Sequence, residues 1–164
     1  MVEKLKIYLE TSAIGYLVED GSEYSSDRKA MIDLWERIKN REFVVVISTL
    51  VLDELAAYKN EKRYKQIIEY LSQINYSVVG IGETDKRIAE TIKIKKLLIS
   101  DKNKNNRRHI GIAIENCCDI IVSMNFRHLV NVDTIRGVRE IYNIEGYGSV
   151  DIVQPKSMVG GEDG

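Results

Sequence analysis

The sequence has one proline and no low-complexity stretch, so nothing in it reads as a linker between domains. It has two cysteines, Cys117 and Cys118, which are adjacent. A disulfide between neighbours would be badly strained, and two residues make no metal-ligand spacing. Reduced thiols in a cytoplasm are the simplest expectation. No apolar run approaches the roughly 20 residues needed to cross a bilayer, and the first residues lack the long apolar region of a secretory leader. No membrane association is therefore expected. Neither charge sign dominates: 24 Lys and Arg face 25 Asp and Glu, for a net charge of −1. The whole-molecule field does not draw in nucleic acid, so a polyanionic partner needs a local basic patch or a bridging cation. There is also no glycine-rich phosphate loop after the first apolar run, and no pair of aspartates there. Both absences count against a nucleotide-binding or phosphotransfer-receiver domain.

The 164 residues, 44% of them hydrophobic, suit one domain with one core. Residues 1–155 are expected to form it, with 156–164 as a flexible tail frayed over Gly160–Gly164. The first apolar run, Ile7-Tyr8-Leu9, is too short for a helix and has the β-branched and aromatic content of a strand. It ends on Glu10, and Thr11 or Ser12 can cap a helix starting near Ala13. Asp27–Lys39 has apolar residues at helical spacing, with Ser26 or Asp27 as N-cap. Phe43–Ile47 is a continuous apolar run, the mark of a strand buried on both faces. Ser48 or Thr49 can cap the following helix, which carries Glu54. Further helices are expected over Glu61–Ile74, Glu83–Leu98, Arg107–Asn116 and Val132–Tyr142. Strands are expected over Tyr76–Ile81, Asp119–Ser123 and Val150–Val153. Glu19–Ser26 and Ser100–Asn105 read as loops, with Asn105 or Asn106 capping the helix that follows. Strands alternating with helices argue for an α/β fold, a three-layer α/β/α sandwich around a mainly parallel sheet.

In a parallel sheet the residues after each strand share one edge. Glu10, Glu54, Asn106 and Asn125 would then gather there. Acids collected at one edge repel one another unless a cation lies between them, and oxygen ligands suit Mg²⁺ or Mn²⁺. Such an ion orients a phosphate and acidifies a water. Taken singly the residues have plainer readings. Glu10 can simply favour the dipole of a first turn, Glu54 can be a surface acid, and His109 reads as a structural residue packed beside Ile110. Lys59, Lys62, Arg63 and Lys65 read as a solvated helix face.

Three stretches together resemble a PIN domain, the metal-dependent ribonuclease fold of the VapC-type toxins. They are Ile7-Tyr8-Leu9-Glu10-Thr11-Ser12, Ser48–Leu55, and His109–Ala113 running on to Asp119–Leu129. The resemblance implies a divalent-metal-dependent endoribonuclease with Mg²⁺ or Mn²⁺ held by Glu10, Glu54, Asn106 and Asn125. It also implies an RNA substrate, a small antitoxin protein as partner, and a homodimer. Glu10 stands where the family usually has Asp, and supplies the same carboxylate. Asn106 stands where the family has its third acid. An amide binds a hard cation more weakly than a carboxylate and cannot act as a base. Asp101, five residues upstream, is the candidate substitute. Arg107, Arg108 and Arg127 adjoin the expected site and are candidates for RNA phosphates. The substitution at Asn106 favours a second reading, a PIN-fold module that binds RNA or a protein without efficient cleavage.

Overall fold

The computed structural model describes residues 3–19, 25–94, 101–145 and 150–159. Among the described residues five strands form one sheet: β1 (Lys6–Leu9), β2 (Val44–Ser48), β3 (Ser77–Val79), β4 (Ile120–Val122) and β5 (Asp151–Val153). Their spatial order is β3-β2-β1-β4-β5, and every pairing is parallel. β1 is the middle strand. Tyr8 faces Val46 on one side and Ile121 on the other. Ile7, Tyr8 and Leu9 are fully buried, because helices cover both faces of a parallel sheet. Burial of Ile7 or Leu9 alone stabilises the fold by about 1.5–3 kcal/mol.

The helices are α1 (Thr11–Gly15), α2 (Ser26–Lys39), α3 (Thr49–Ala56), α4 (Glu61–Leu71), α5 (Glu83–Ile94), α6 (Lys104–Glu115), α7 (Val132–Glu145) and α8 (Pro155–Val159). They complete a three-layer α/β/α sandwich. Among the described residues no helix is long and apolar enough to cross a membrane. Helix α5 packs along α6. A Cβ on Gly111 would stand 2.5 Å from the backbone oxygen of Asp85, so the two helices touch where only glycine fits. The buried Asp85 carboxylate also accepts from Arg108 of α6, Nη2 at 2.7 Å and Nε at 3.0 Å.

Several boundaries differ from expectation. The N-cap of α2 is Ser25, whose hydroxyl accepts from Arg28 N. Glu10 itself caps α1, its carboxylate accepting from Ser12 N; an acid does this as well as a hydroxyl and adds charge at the positive helix end. α6 begins at Lys104, directly after a one-turn 3₁₀ helix at Asp101–Asn103. Asn105 and Asn106 are therefore in its first turn and cap nothing, and the expected loop over Ser100–Asn105 is largely helical. Residues 156–159 of the expected tail belong to helix α8. There α8 packs on α2, Arg37 Nη1 donates to Met158 O at 2.6 Å, and Lys156 pairs with Asp27 at 3.0 Å. The remainder of that tail, most of the loop after Glu19 and the helical end expected over Lys95–Leu98 lie outside the described residues.

Helices α2 and α6 both end with a non-glycine residue in the left-handed region, Arg41 at φ 60° and Cys117 at φ 56°. In each case two backbone N–H groups fold back onto the last turn: Arg41 N to Ile38 O and Glu42 N to Arg37 O, then Cys117 N to Ile114 O and Cys118 N to Ala113 O. This C-terminal motif usually takes glycine. It turns the chain sharply into β2 and β4. Both cysteines are free; Cys118 is buried, and burial pushes its thiol up to about 12.

Candidate active site

The strand order reverses direction at β1. The chain runs from β1 outward through β2 to β3, then returns to place β4 and β5 on the other side of β1. Helices leaving adjacent strands toward opposite faces open a crevice at the carboxyl ends of β1 and β4, and ligands bind there in open α/β sheets. Glu10 follows β1 at this point. Its backbone N–H extends the ladder to Val122 O at 3.0 Å.

Glu10 is 5% exposed. Its Oε2 accepts from Ser12 N at 3.0 Å, from the Ser12 hydroxyl and from the Ser123 hydroxyl at 2.8 Å. Both hydroxyls receive in turn from the backbone after β4: Met124 N donates to Ser12 Oγ at 2.9 Å, and Asn125 N donates to Ser123 Oγ at 3.0 Å. Two serines thus relay backbone donors onto one carboxylate oxygen. No described residue donates to Oε1.

Glu54 sits on α3 and is likewise held by one oxygen. Its Oε1 accepts from Thr11 Oγ1 at 2.7 Å and from His109 Nε2 at 2.6 Å. Among the described residues its Oε2 accepts only from Asn105 Nδ2, at 3.3 Å. Burial acts to raise its pKa, but the His109 hydrogen bond and charge, with the bonds from Thr11 and Asn105, hold it below the usual carboxylate range. Thr11 joins the two acids, since it follows Glu10 in sequence and binds Glu54.

Behind Glu54 the polar chain runs into the core. His109, 1% exposed, meets the Tyr8 hydroxyl through Nδ1 at 2.6 Å, and Tyr8 meets Ser48 Oγ at 2.8 Å. Ser48 caps α3 by accepting from Val51 N at 3.1 Å. Burial raises the Tyr8 pKa far above its ordinary value, so the hydroxyl stays protonated.

Asn106 and Asn125 come together. Asn125 Nδ2 donates to Asn106 Oδ1 at 3.4 Å, and Asn106 Nδ2 donates to Asn103 Oδ1 at 2.8 Å. Asn125 Oδ1 accepts from His128 N at 3.1 Å, which fixes the turn after β4. The arginines differ from expectation. Arg107 is 5% exposed, and Arg108 is committed to Asp85; each sits on a side of α6 that packs inward. Arg127 is exposed. Asp101 opens the 3₁₀ turn before α6, and its side chain lies outside the described residues.

The donor set is hard: two carboxylates, two amide oxygens and several hydroxyls. Among the described residues no lysine or arginine pairs with Glu10 or Glu54, and a buried carboxylate without a counter-charge is costly. Among the described residues no three acids, histidines or cysteines gather closely enough to hold a metal ion by themselves. This donor set fits an ion that keeps much of its own water, as Mg²⁺ does with one or two protein carboxylates.

Two solved structures share the architecture. One is the crystal structure of VapBC2 from Rickettsia felis bound to a DNA fragment from their promoter, with 12% identity, a TM-score of 0.57, and coverage of 92% of this chain and 98% of that chain. The other is DNA-bound VapBC from Salmonella typhimurium, with 16% identity, a TM-score of 0.56 and the same coverage of both chains. The chain has a PIN-like fold of the VapC type. No protein-family model and no curated protein matches it.

Within this PIN-like fold, sequence reasoning overlooked the residues that hold the acids: Thr11, Ser12, Ser123, Asn105 and the His109–Tyr8 pair. One signal was present. Two hydroxyl residues directly after the first acid, and a serine at the end of the Ile120-Ile121-Val122 run, are the types that satisfy a buried carboxylate.

Proposed function

We propose that the chain is a divalent-metal-dependent endoribonuclease, the toxin of a toxin–antitoxin pair acting in the cytoplasm. The observation that carries this reading is the pair Glu10 and Glu54. Each has one oxygen saturated by protein donors, each is without a lysine or arginine partner among the described residues, and they are joined through Thr11 at the crevice end of the sheet. Glu10, Glu54, Asn106 and Asn125 would hold Mg²⁺ or Mn²⁺. When bound, the ion would activate water and offset charge on the phosphodiester. The residues themselves supply binding and orientation: the serine relays fix Glu10, His109 and Thr11 fix Glu54, and exposed Arg127 offers a cation to an RNA phosphate. A small antitoxin protein is the expected partner, consistent with the VapBC assemblies of the same fold, and the toxin is expected to be a homodimer.

The test is cleavage of RNA by the purified chain with Mn²⁺ or Mg²⁺, against the same reaction in chelator and against Glu10→Gln. Cleavage that needs the metal and is lost in the variant supports the reading. Cleavage that persists in both controls overturns it. One observation favours the module that binds without efficient cleavage: Asn106 brings an amide already engaged with Asn103 and Asn125. Metal binding with no cleavage by the natural protein would select that alternative.

A further inference from the structure

We propose that His109 is the positioning residue of this site: clamped by Tyr8 and Ser48, it pins Oε1 of Glu54 and so presents Oε2 to a divalent cation. This inference rests on the metal-dependent reading above.

An ionised carboxylate only accepts, so His109 Nε2 carries a proton and donates to Glu54 Oε1 at 2.6 Å. On its other side Nδ1 meets the Tyr8 hydroxyl at 2.6 Å. The Tyr8 oxygen meets the Ser48 hydroxyl at 2.8 Å, and Ser48 Oγ receives Val51 N at 3.1 Å. The contacts run without a break from the start of α3 through Ser48, Tyr8 and His109 to Glu54. They hold the ring between two partners, the arrangement that orients ligands from outside a metal's own shell.

A purely structural histidine would end on a buried acceptor. Here the ring lies in the core, yet its outer nitrogen reaches a side chain that is 29% exposed. The choice of histidine also matters. A guanidinium would tie up both carboxylate oxygens bidentately and neutralise them. One N–H from an imidazole holds a single oxygen. Thr11 adds a second bond to the same oxygen. On the other acid, Ser12 and Ser123 likewise occupy Oε2 of Glu10 and spare its Oε1. The two acids are built alike in part: each has one oxygen anchored by two or more protein donors, while the second takes a 3.3 Å bond from Asn105 in Glu54 and no donor among the described residues in Glu10.

The experiment is Mn²⁺ binding by titration calorimetry to the purified full chain and to His109→Leu, His109→Gln, Tyr8→Phe and Glu10→Gln, with thermal melts in chelator to establish folding. Outer-shell partners of this kind change metal affinity by about 10- to 100-fold, and that weakening is expected for His109→Leu. His109→Gln keeps an N–H donor near the Nε2 position and should recover most of the loss. Tyr8→Phe keeps the core volume but releases the ring, and should weaken binding in the same direction by less. In RNA cleavage the Mn²⁺ concentration for half-maximal rate should rise, with the rate at saturating Mn²⁺ far less affected. The inference is overturned if His109→Leu binds Mn²⁺ like the natural protein, or if His109→Gln is as weak as His109→Leu. If His109→Leu does not fold, unchanged affinity in Tyr8→Phe overturns it. In those cases lost binding in Glu10→Gln still upholds the metal site. If the natural protein binds no Mn²⁺, the metal reading fails, and this inference with it.

Discussion

The two ends of the sheet differ in kind. The amino ends of the strands border two open hollows. One of about 290 Å³ is lined by Lys4, Arg41, Phe43, Val44, Asn75 and Tyr76 among others, and one of about 610 Å³ by residues that include Glu3, Lys6, Cys117 and Asp119. The side chains there are largely exposed, and water satisfies them. The carboxyl ends hold the buried polar network of Glu10, Ser12, Ser123, Glu54, His109, Tyr8 and Ser48. Open hollows and buried charge are thus different signals. Buried charge is the better guide, because a carboxylate out of water is retained only where something compensates it, whereas an open hollow between strand starts costs nothing to keep.

That contrast can be broken most directly by charge removal at each end. Glu10→Gln or Glu54→Gln should lower metal-dependent RNA cleavage by more than about 100-fold, beyond the effect of outer-shell partners. Lys4→Ala, at the opposite end, should change the rate by less than about twofold, as surface substitutions do. A rate assay on the three variants decides. Equal losses at both ends would remove the distinction.

Asn106→Asp sharpens the same contrast by adding a charge. A carboxylate a few ångströms from a divalent ion gains several kcal/mol at an effective dielectric near ~20. Repulsion from Glu10 and Glu54 and loss of the donor to Asn103 offset part of it. Mn²⁺ affinity should rise about tenfold, or about 1.4 kcal/mol, read by calorimetry. If the chain is a weakened nuclease, cleavage at low Mn²⁺ should rise as well. A rate unmoved by Asn106→Asp but abolished by Asp101→Asn would place the third acid upstream.

Two smaller changes test the scaffold. Gly111→Ala forces a methyl against the Asp85 carbonyl 2.5 Å away, and should cost about 1–3 kcal/mol in a urea melt. Because α6 carries His109, the loss should come with weaker metal binding. Cys117→Gly removes a side chain from a left-handed residue at the amino-end turn into β4. The relief of about 1–2 kcal/mol, less glycine's entropy cost of about 0.5–1 kcal/mol, should leave a small gain in the urea midpoint and no change in cleavage.

The layers of the fold were legible because apolar periodicity is strong: the runs at Ile7–Leu9, Val44–Ile47 and Ile120–Val122 are strands, and the helices between them show their stripes. The start of α6 was not legible. Asn105 and Asn106 are good capping residues by type, but the preceding 3₁₀ turn puts them inside the helix. The acids were legible by their place after strands. Their supports were not, because hydroxyls and a histidine become informative only when the sheet brings residues 12, 123, 54 and 109 together. The surroundings of the arginines were not legible, because a cation beside a site in sequence can meet another partner on a helix, as Arg108 does with Asp85.

The position of β1 in the middle of the sheet also governs when the site can exist. Glu10 and its partner Ser123 are 113 residues apart, as are Lys6 and the Asp119 carboxylate that accepts its N–H. During synthesis β1 leaves the ribosome before β2, finds it within some forty residues, and must wait for β4 before its second edge and the Glu10 cage close. Pairings this distant in the chain form late and slowly. Until then Glu10 lacks Ser123 and the backbone donors relayed by both serines. A nascent chain of this protein thus carries both acids long before it carries the site, so the proposed nuclease activity waits for the synthesis of β4.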